Sequence, residues 1–290
     1  MHEFGAVMKD AIARRERDAH RAARRERGFA AASFAVTCGS VFLVRWWGQW
    51  SEDPVENVSR GYAALGFTGV LMGVLLAHEL GHWGVARAHR IALSLPFFLP
   101  APFLTGTFGA IIRLDEPPRG RDGLAEMGAA GPLAGFLALL LASVAWVLRG
   151  PVVVDGDHVA PPPLLVVLSV FTGRTAPTEI AASDGLGYAV WLGCLLTAMN
   201  LLPIGQLDGG HVVRALIPRW TGFIRNAALL GLVLLGWCWP MWAVWALVIL
   251  AVGAWRSLDV RDDPPPSGRA VAAGVATLIA FGLCFHPVPV

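Results

Sequence analysis

The chain has 290 residues, 55% hydrophobic and 15% charged, with 12 Trp, a mean hydropathy of +0.57 and a formal net charge of +2. Such a composition excludes an ordinary soluble domain and fits an integral membrane protein whose apolar faces meet lipid. The small net charge hides an asymmetry, because Lys9, Arg14, Arg15, Arg17, Arg21, Arg24, Arg25 and Arg27 all precede the first apolar run. This arm reads as a cytoplasmic end. Glu3, Asp10, Glu16, Asp18 and Glu26 interleave with it and no aromatic stacking pattern accompanies it, which speaks against nucleic-acid binding. Cys38, Cys194, Cys238 and Cys284 lie scattered in apolar stretches and read as small core residues.

In chain order, residues 1–28 form the basic arm and 29–61 a first span, Phe29 to Trp47, with its acidic outer loop. Span 2 follows from Tyr62 to Val85 and is stopped by Arg87, His89 and Arg90. Ile91 to Leu114 is apolar, but Pro96, Pro100 and Pro102 exclude a spanning helix. It reads as irregular chain and a short strand, Thr107 to Arg113, dipping into the membrane where a protein wall or a wet cavity satisfies its backbone. Span 3, Met127 to Leu148, opens with Gly128, Gly131, Pro132 and Gly135, whose small size lets a neighbouring helix approach closely. The loop Arg149 to Asp184 contains an apolar piece, Leu164 to Phe171, too short to span. Span 4 runs from Leu186 to Leu202. Phe223 to Trp255 is too long for one span and is divided by Pro240 into a tight helical pair turning near Trp237 to Pro240. A charged linker with Pro264 to Pro266 precedes a last span, Ala270 to Phe285.

The fold class is therefore an all-α polytopic membrane protein of six to seven transmembrane helices with a membrane-dipping strand and loop. With the amino terminus inside, 19 of the 23 Lys+Arg residues fall on the cytoplasmic side, obeying the positive-inside rule. The same parity brings the ends of spans 2 and 4 to one side of the membrane.

The chemistry centres on His78-Glu79-Leu80-Gly81-His82. Two histidines four apart share a helical face and can offer ring nitrogens to one metal ion, with Glu79 between them to handle a proton. Ionisable groups in a span cost about 2.5–3.5 kcal/mol each on insertion scales, so such a cluster implies a role. Asp208, in the Gly-rich turn Asp208-Gly209-Gly210 after span 4, is the natural third ligand, and a His/His/carboxylate set with an open position favours zinc, one ion per chain. Without the histidine motif the same aspartate would read as a cap or turn residue. Asn200, at the end of span 4, can hydrogen-bond a substrate carbonyl or a developing oxyanion, or equally bridge helices. His89 and His211 read as neighbours of the site rather than ligands. A metal transporter would need further ionisable residues along the other spans, and spans 1, 3 and 7 offer almost none.

These motifs resemble the site-2 protease family of intramembrane zinc metalloproteases. The resemblance is carried by His78 to His82, by Ala130-Gly131-Pro132-Leu133-Ala134-Gly135, and by Asn200 to Pro203 followed by Leu207-Asp208-Gly209-Gly210, over about Tyr62 to His211. It implies a three-helix catalytic core on spans 2, 3 and 4 within residues 62–222, leaving 223–290 as carboxy-terminal transmembrane helices. It implies zinc on His78, His82 and Asp208, with Glu79 the catalytic acid/base; Asn200 is a catalytic candidate on its position alone. The Pro-rich segment Leu95 to Pro102 and the strand Gly106 to Ala110 are similar to the branch of chloroplast and bacterial members without PDZ or CBS domains. Substrates implied by the family are single-span membrane proteins, cut near the cytosolic face in regulated intramembrane proteolysis. Gly106, Thr107, Phe108 and Gly109 would receive an unwound substrate by edge pairing, with Asn200 beside it. The expected location is a bacterial inner membrane. A silent relative that binds membrane helices as a chaperone or scaffold is the alternative, against which the intact Glu79 argues.

Overall fold

The fold was analysed in a computed structural model that describes residues 2–91, 93–103, 105–113, 120–150, 157–256 and 264–288, with side chains from residue 21 onward. Leu114, at the end of the expected dipping segment, and residues 257–263 of the charged linker lie outside the described residues, as do the arm's side chains up to residue 20. Three helices carry the length and apolarity needed to cross a membrane: α1 (His2–Trp47) over its 27 residues from Arg21, α2 (Pro54–Ala88) and α3 (Gly120–Arg149). The helix α1 does not break at residue 28, so the basic arm is its continuation. Asp53 starts α2 by accepting from Val55 N at 2.8 Å with Pro54 in the first helical position. Arg90, at φ 56°, ends it in a left-handed turn whose Ile91 N–H returns to the Ala86 carbonyl.

Between α2 and α3 the expected single strand is a hairpin. The strand β1 (Phe97–Pro100) pairs antiparallel with β2 (Thr107–Ile111), Phe97 opposite Ile111 and Phe98 opposite Ala110. The prolines that exclude a helix do not exclude a short edge strand, so the Pro-rich segment is itself paired chain. The hairpin is seated on α1: Ser33 Oγ accepts from Phe98 N at 3.2 Å and Ser40 Oγ donates to the Ala101 carbonyl at 2.8 Å.

The outer loop holds a two-residue ladder, β3 (His158–Val159) with β4 (Ile180–Ala181), around the short helix α4 (Pro163–Phe171). Beyond it come α5 (Gly185–Asn200), α6 (Asp208–Leu216), the hairpin pair α7 (Thr221–Leu235) and α8 (Pro240–Ala251), and α9 (Gly268–Cys284). Of these, α5, α8 and α9 are apolar but shorter than a full span, with 16, 12 and 17 residues.

The core lies where α2, α3 and α5 pack, around buried Leu71, Leu75, Leu139, Trp146, Val190 and Leu192. At the far end from the histidine motif, Asp184 fastens it. Its carboxylate accepts from Trp146 Nε1 at 2.7 Å, from Arg149, and from Gly187 N at 3.1 Å, capping α5 while holding the last turns of α3. Arg45 crosses from α1 to the Ala182 carbonyl and lies over the rings of Phe67 and Tyr188, 5.1 and 4.7 Å from their centroids.

Candidate metal centre

Helical spacing in α2 stacks His78 above His82, and α6 begins at Asp208, so the carboxylate sits on the first turn of a helix rather than in the free turn expected from Asp208-Gly209-Gly210. The glycines have a packing use there: a Cβ on Gly209 would strike the Leu201 carbonyl, and one on Gly210 the backbone of Ile204. They let α6 fold back against the end of α5. His78 Nε2 lies 3.1 Å from His82 Nε2, one Asp208 oxygen 3.2 Å from His78 and the other 3.4 Å from His82. Both histidines and Asp208 are largely withdrawn from solvent.

The third helix makes room for this. A Cβ on Gly131 would overlap the His82 ring, one on Gly135 would stand 3.2 Å from His78 Cβ, and one on Gly128 would stand 2.8 Å from the Asp208 carbonyl. The small residues expected to bring helices together thus lie against all three candidate ligands. Met127, on the same turn, accepts from His82 Nδ1 at 2.9 Å. Because a carbonyl can only accept, Nδ1 carries the proton, and in the neutral ring Nε2 presents a lone pair to the cluster.

That lone pair faces a carboxylate and a second imidazole, an arrangement a cation resolves. The donors around a tetrahedral zinc at about 2.0–2.1 Å stand about 3.3 Å from one another. Here the separations are 3.1, 3.2 and 3.4 Å, and one atom from each residue lies within 4.8 Å of the others. His78, His82 and Asp208 are the metal-sized donor group among the described residues.

Glu79 is 9% exposed, and its carboxylate has no hydrogen-bond partner among the described residues. Asn200 is the last residue of α5, half-buried, and its amide also has no such partner. Gly106 to Gly109 belong to the hairpin. Gly106, at φ +87°, packs so close that a Cβ would strike the Val41 backbone, and Thr107 Oγ1 is engaged by donating to the Leu99 carbonyl and accepting from Gly109 N, both at 3.0 Å. Phe108 faces outward, edge-on to Phe103. His211 is one turn along α6 from Asp208, while His89 donates to Glu126 at 2.7 Å, away from the cluster. The Met127 carbonyl and Glu126 were invisible to spacing arguments, since nothing in a sequence marks a backbone acceptor 45 residues from its donor.

The sequence profile described as Peptidase family M50 matches residues 66–238, which contain all three donors, Glu79 and Asn200. The chain belongs to peptidase family M50. This M50 chain is 30% identical over 274 residues to a protein of Oryza sativa subsp. indica named probable zinc metalloprotease EGY2, chloroplastic, covering 88% of the chain and 49% of the relative. With the Arabidopsis thaliana protein of the same name it is 32% identical over 257 residues, 82% of this chain and 44% of that one. A zinc metalloprotease of Methanocaldococcus jannaschii is 26% identical over 175 residues, 59% of this chain and 40% of the relative. The M50 chain spans about half the length of the curated plant EGY2 relatives it matches. No solved structure is a significant match.

Proposed function

We propose that this M50 family member is an intramembrane zinc metalloprotease that cuts transmembrane helices of single-span membrane proteins near the cytosolic face, in regulated intramembrane proteolysis. The observation that supports this best is the convergence of His78 and His82, on the apolar helix α2, with Asp208 at the start of α6, beside a Glu79 carboxylate that has no hydrogen-bond partner among the described residues. His78 and His82 would hold zinc through Nε2 and Asp208 through a carboxylate oxygen. Bound there, zinc supplies Lewis-acid polarisation of the scissile carbonyl and acidifies water.

The chain's own groups do the rest. Glu79, without a hydrogen-bond partner among the described residues, takes a proton from the attacking water and returns it to the leaving nitrogen. His82 is kept in the donor tautomer by the Met127 carbonyl. Asn200, at the end of α5, offers its amide to the substrate carbonyl. A transmembrane helix shields its peptide bonds, so the substrate unwinds before it is cut, and the β2 edge at Thr107 to Gly109 receives the extended segment. The charge distribution supports a cytoplasmic amino terminus.

The test compares membrane and cytosolic proteomes of host cells carrying wild type or Glu79→Gln, together with zinc content of both purified proteins. A fall in cleavage of about 10²- to 10⁴-fold is expected, with zinc retained and a few uncut single-span proteins accumulating. Identical proteomes under several stresses with zinc still bound would withdraw the catalytic role of Glu79 and favour a helix-binding scaffold.

A further inference from the structure

The first two turns of α3 carry three charged side chains, and each reaches a different element around the site. Arg121 donates from Nε to the Ala215 carbonyl at 2.6 Å and from its terminal nitrogen to Leu216 at 2.8 Å, closing the last turn of the helix that begins with Asp208. Asp122 accepts from Ser267 N at 2.8 Å, just ahead of α9. Glu126 is held twice: His89, past the end of α2, donates to Oε2, and Arg269 of α9 donates to Oε1, both at 2.7 Å. Its side chain is 13% exposed while that of Arg269 is 80% exposed, so a surface cation reaches in to a sheltered carboxylate.

The next residue is Met127, whose carbonyl receives the His82 Nδ1–H. This turn is weakly held from within, because Pro132 has no N–H for the Gly128 carbonyl and two glycines flank the site. Side-chain bonds from outside α3 therefore carry its register. Resting on the zinc reading above, we propose that Glu126 is a positioning residue for the metal centre. Clamped by His89 and Arg269, it fixes the Met127 carbonyl on His82 and so aims Nε2 at the ion. Through Arg269 the last helix, outside residues 66–238 matched by the family, becomes part of the frame of the site.

The experiment uses the full chain in lipid nanodiscs. Zinc affinity is read by competition with a chelating dye, and ligand geometry by the visible spectrum after cobalt substitution. Glu126→Ala is expected to weaken zinc by about 10- to 100-fold, to alter the cobalt spectrum, and to lower kcat with KM unchanged. Glu126→Gln, keeping one acceptor oxygen, recovers part of the affinity. Wild-type affinity and spectrum in Glu126→Ala overturn the proposal. Should that variant fail to fold, His89→Ala and Arg269→Ala decide, since each leaves the carboxylate one donor: weaker zinc in both supports the clamp and unchanged zinc in both overturns it. Zinc that binds wild type and is lost in His82→Ala, yet ignores Glu126, sinks this inference alone. A wild-type protein that takes no zinc sinks the zinc reading and this inference with it.

Discussion

A buried aspartate, Asp184, and a half-buried one, Asp208, stand at opposite ends of the same helical core, and their partners differ in kind. Among the described residues Asp184 meets donors, an indole N–H, a guanidinium and a backbone N–H, so its charge is paired and both its oxygens are engaged. Asp208 meets two ring nitrogens, one of which, on His82, has already placed its proton elsewhere. A saturated carboxylate is a fastening, whereas a carboxylate facing a lone pair is a candidate ligand for a cation.

Removing each carboxylate tests that difference. Asp208→Ala should lose stoichiometric zinc and at least about a thousandfold in turnover while the protein still folds, as metal analysis and cleavage of a model transmembrane substrate would read. Asp184→Ala should do the reverse. Its loss leaves the Trp146 indole without an acceptor and α5 uncapped, costing about 2–4 kcal/mol in reversible unfolding, with one zinc still bound. Zinc loss in a stable Asp184→Ala protein would contradict the division of labour. The smallest effect separates two glycines of α3. Gly131→Ala, which pushes on the His82 ring, should weaken zinc by about 10- to 100-fold, whereas Gly135→Ala, 3.2 Å from His78 Cβ, should cost only about two- to fivefold by chelator competition. Equal losses would mean that α3 shifts as a body rather than shaping each ligand separately.

Much of this was legible before any coordinates. Helical period puts His78 and His82 on one face, the small residues of span 3 announce a close neighbour, and Pro240 divides the last long apolar stretch at the turn where α7 gives way to α8. The hairpin was half legible: prolines ruled out a spanning helix over Ile91 to Leu114, but pairing of Phe97 with Ile111 depends on a surface supplied by α1, which local sequence does not encode. The supports of the site were not legible at all. Met127 acts through its backbone, and Glu126 looks like any helix-surface glutamate until His89 and Arg269, 37 and 143 residues away, arrive beside it. Asp184 is hidden for the same reason, reading as the end of a loop while serving three partners.

Ser33 also bears on the order in which the ribosome delivers this chain. The helix α1 emerges about 60 residues before β1, so its hydroxyls enter lipid before the hairpin they will hold has been synthesised. Ser33 Oγ donates to the Ala30 carbonyl of its own helix at 2.9 Å and accepts from Phe98 N with a lone pair that remains. Its polar hydrogen is thus satisfied from the moment of insertion, and the later arrival of the hairpin displaces nothing. At Ser33 the first helix can wait in the bilayer as a finished docking point, whereas Ser40 gains the Ala101 carbonyl as acceptor only when the hairpin arrives.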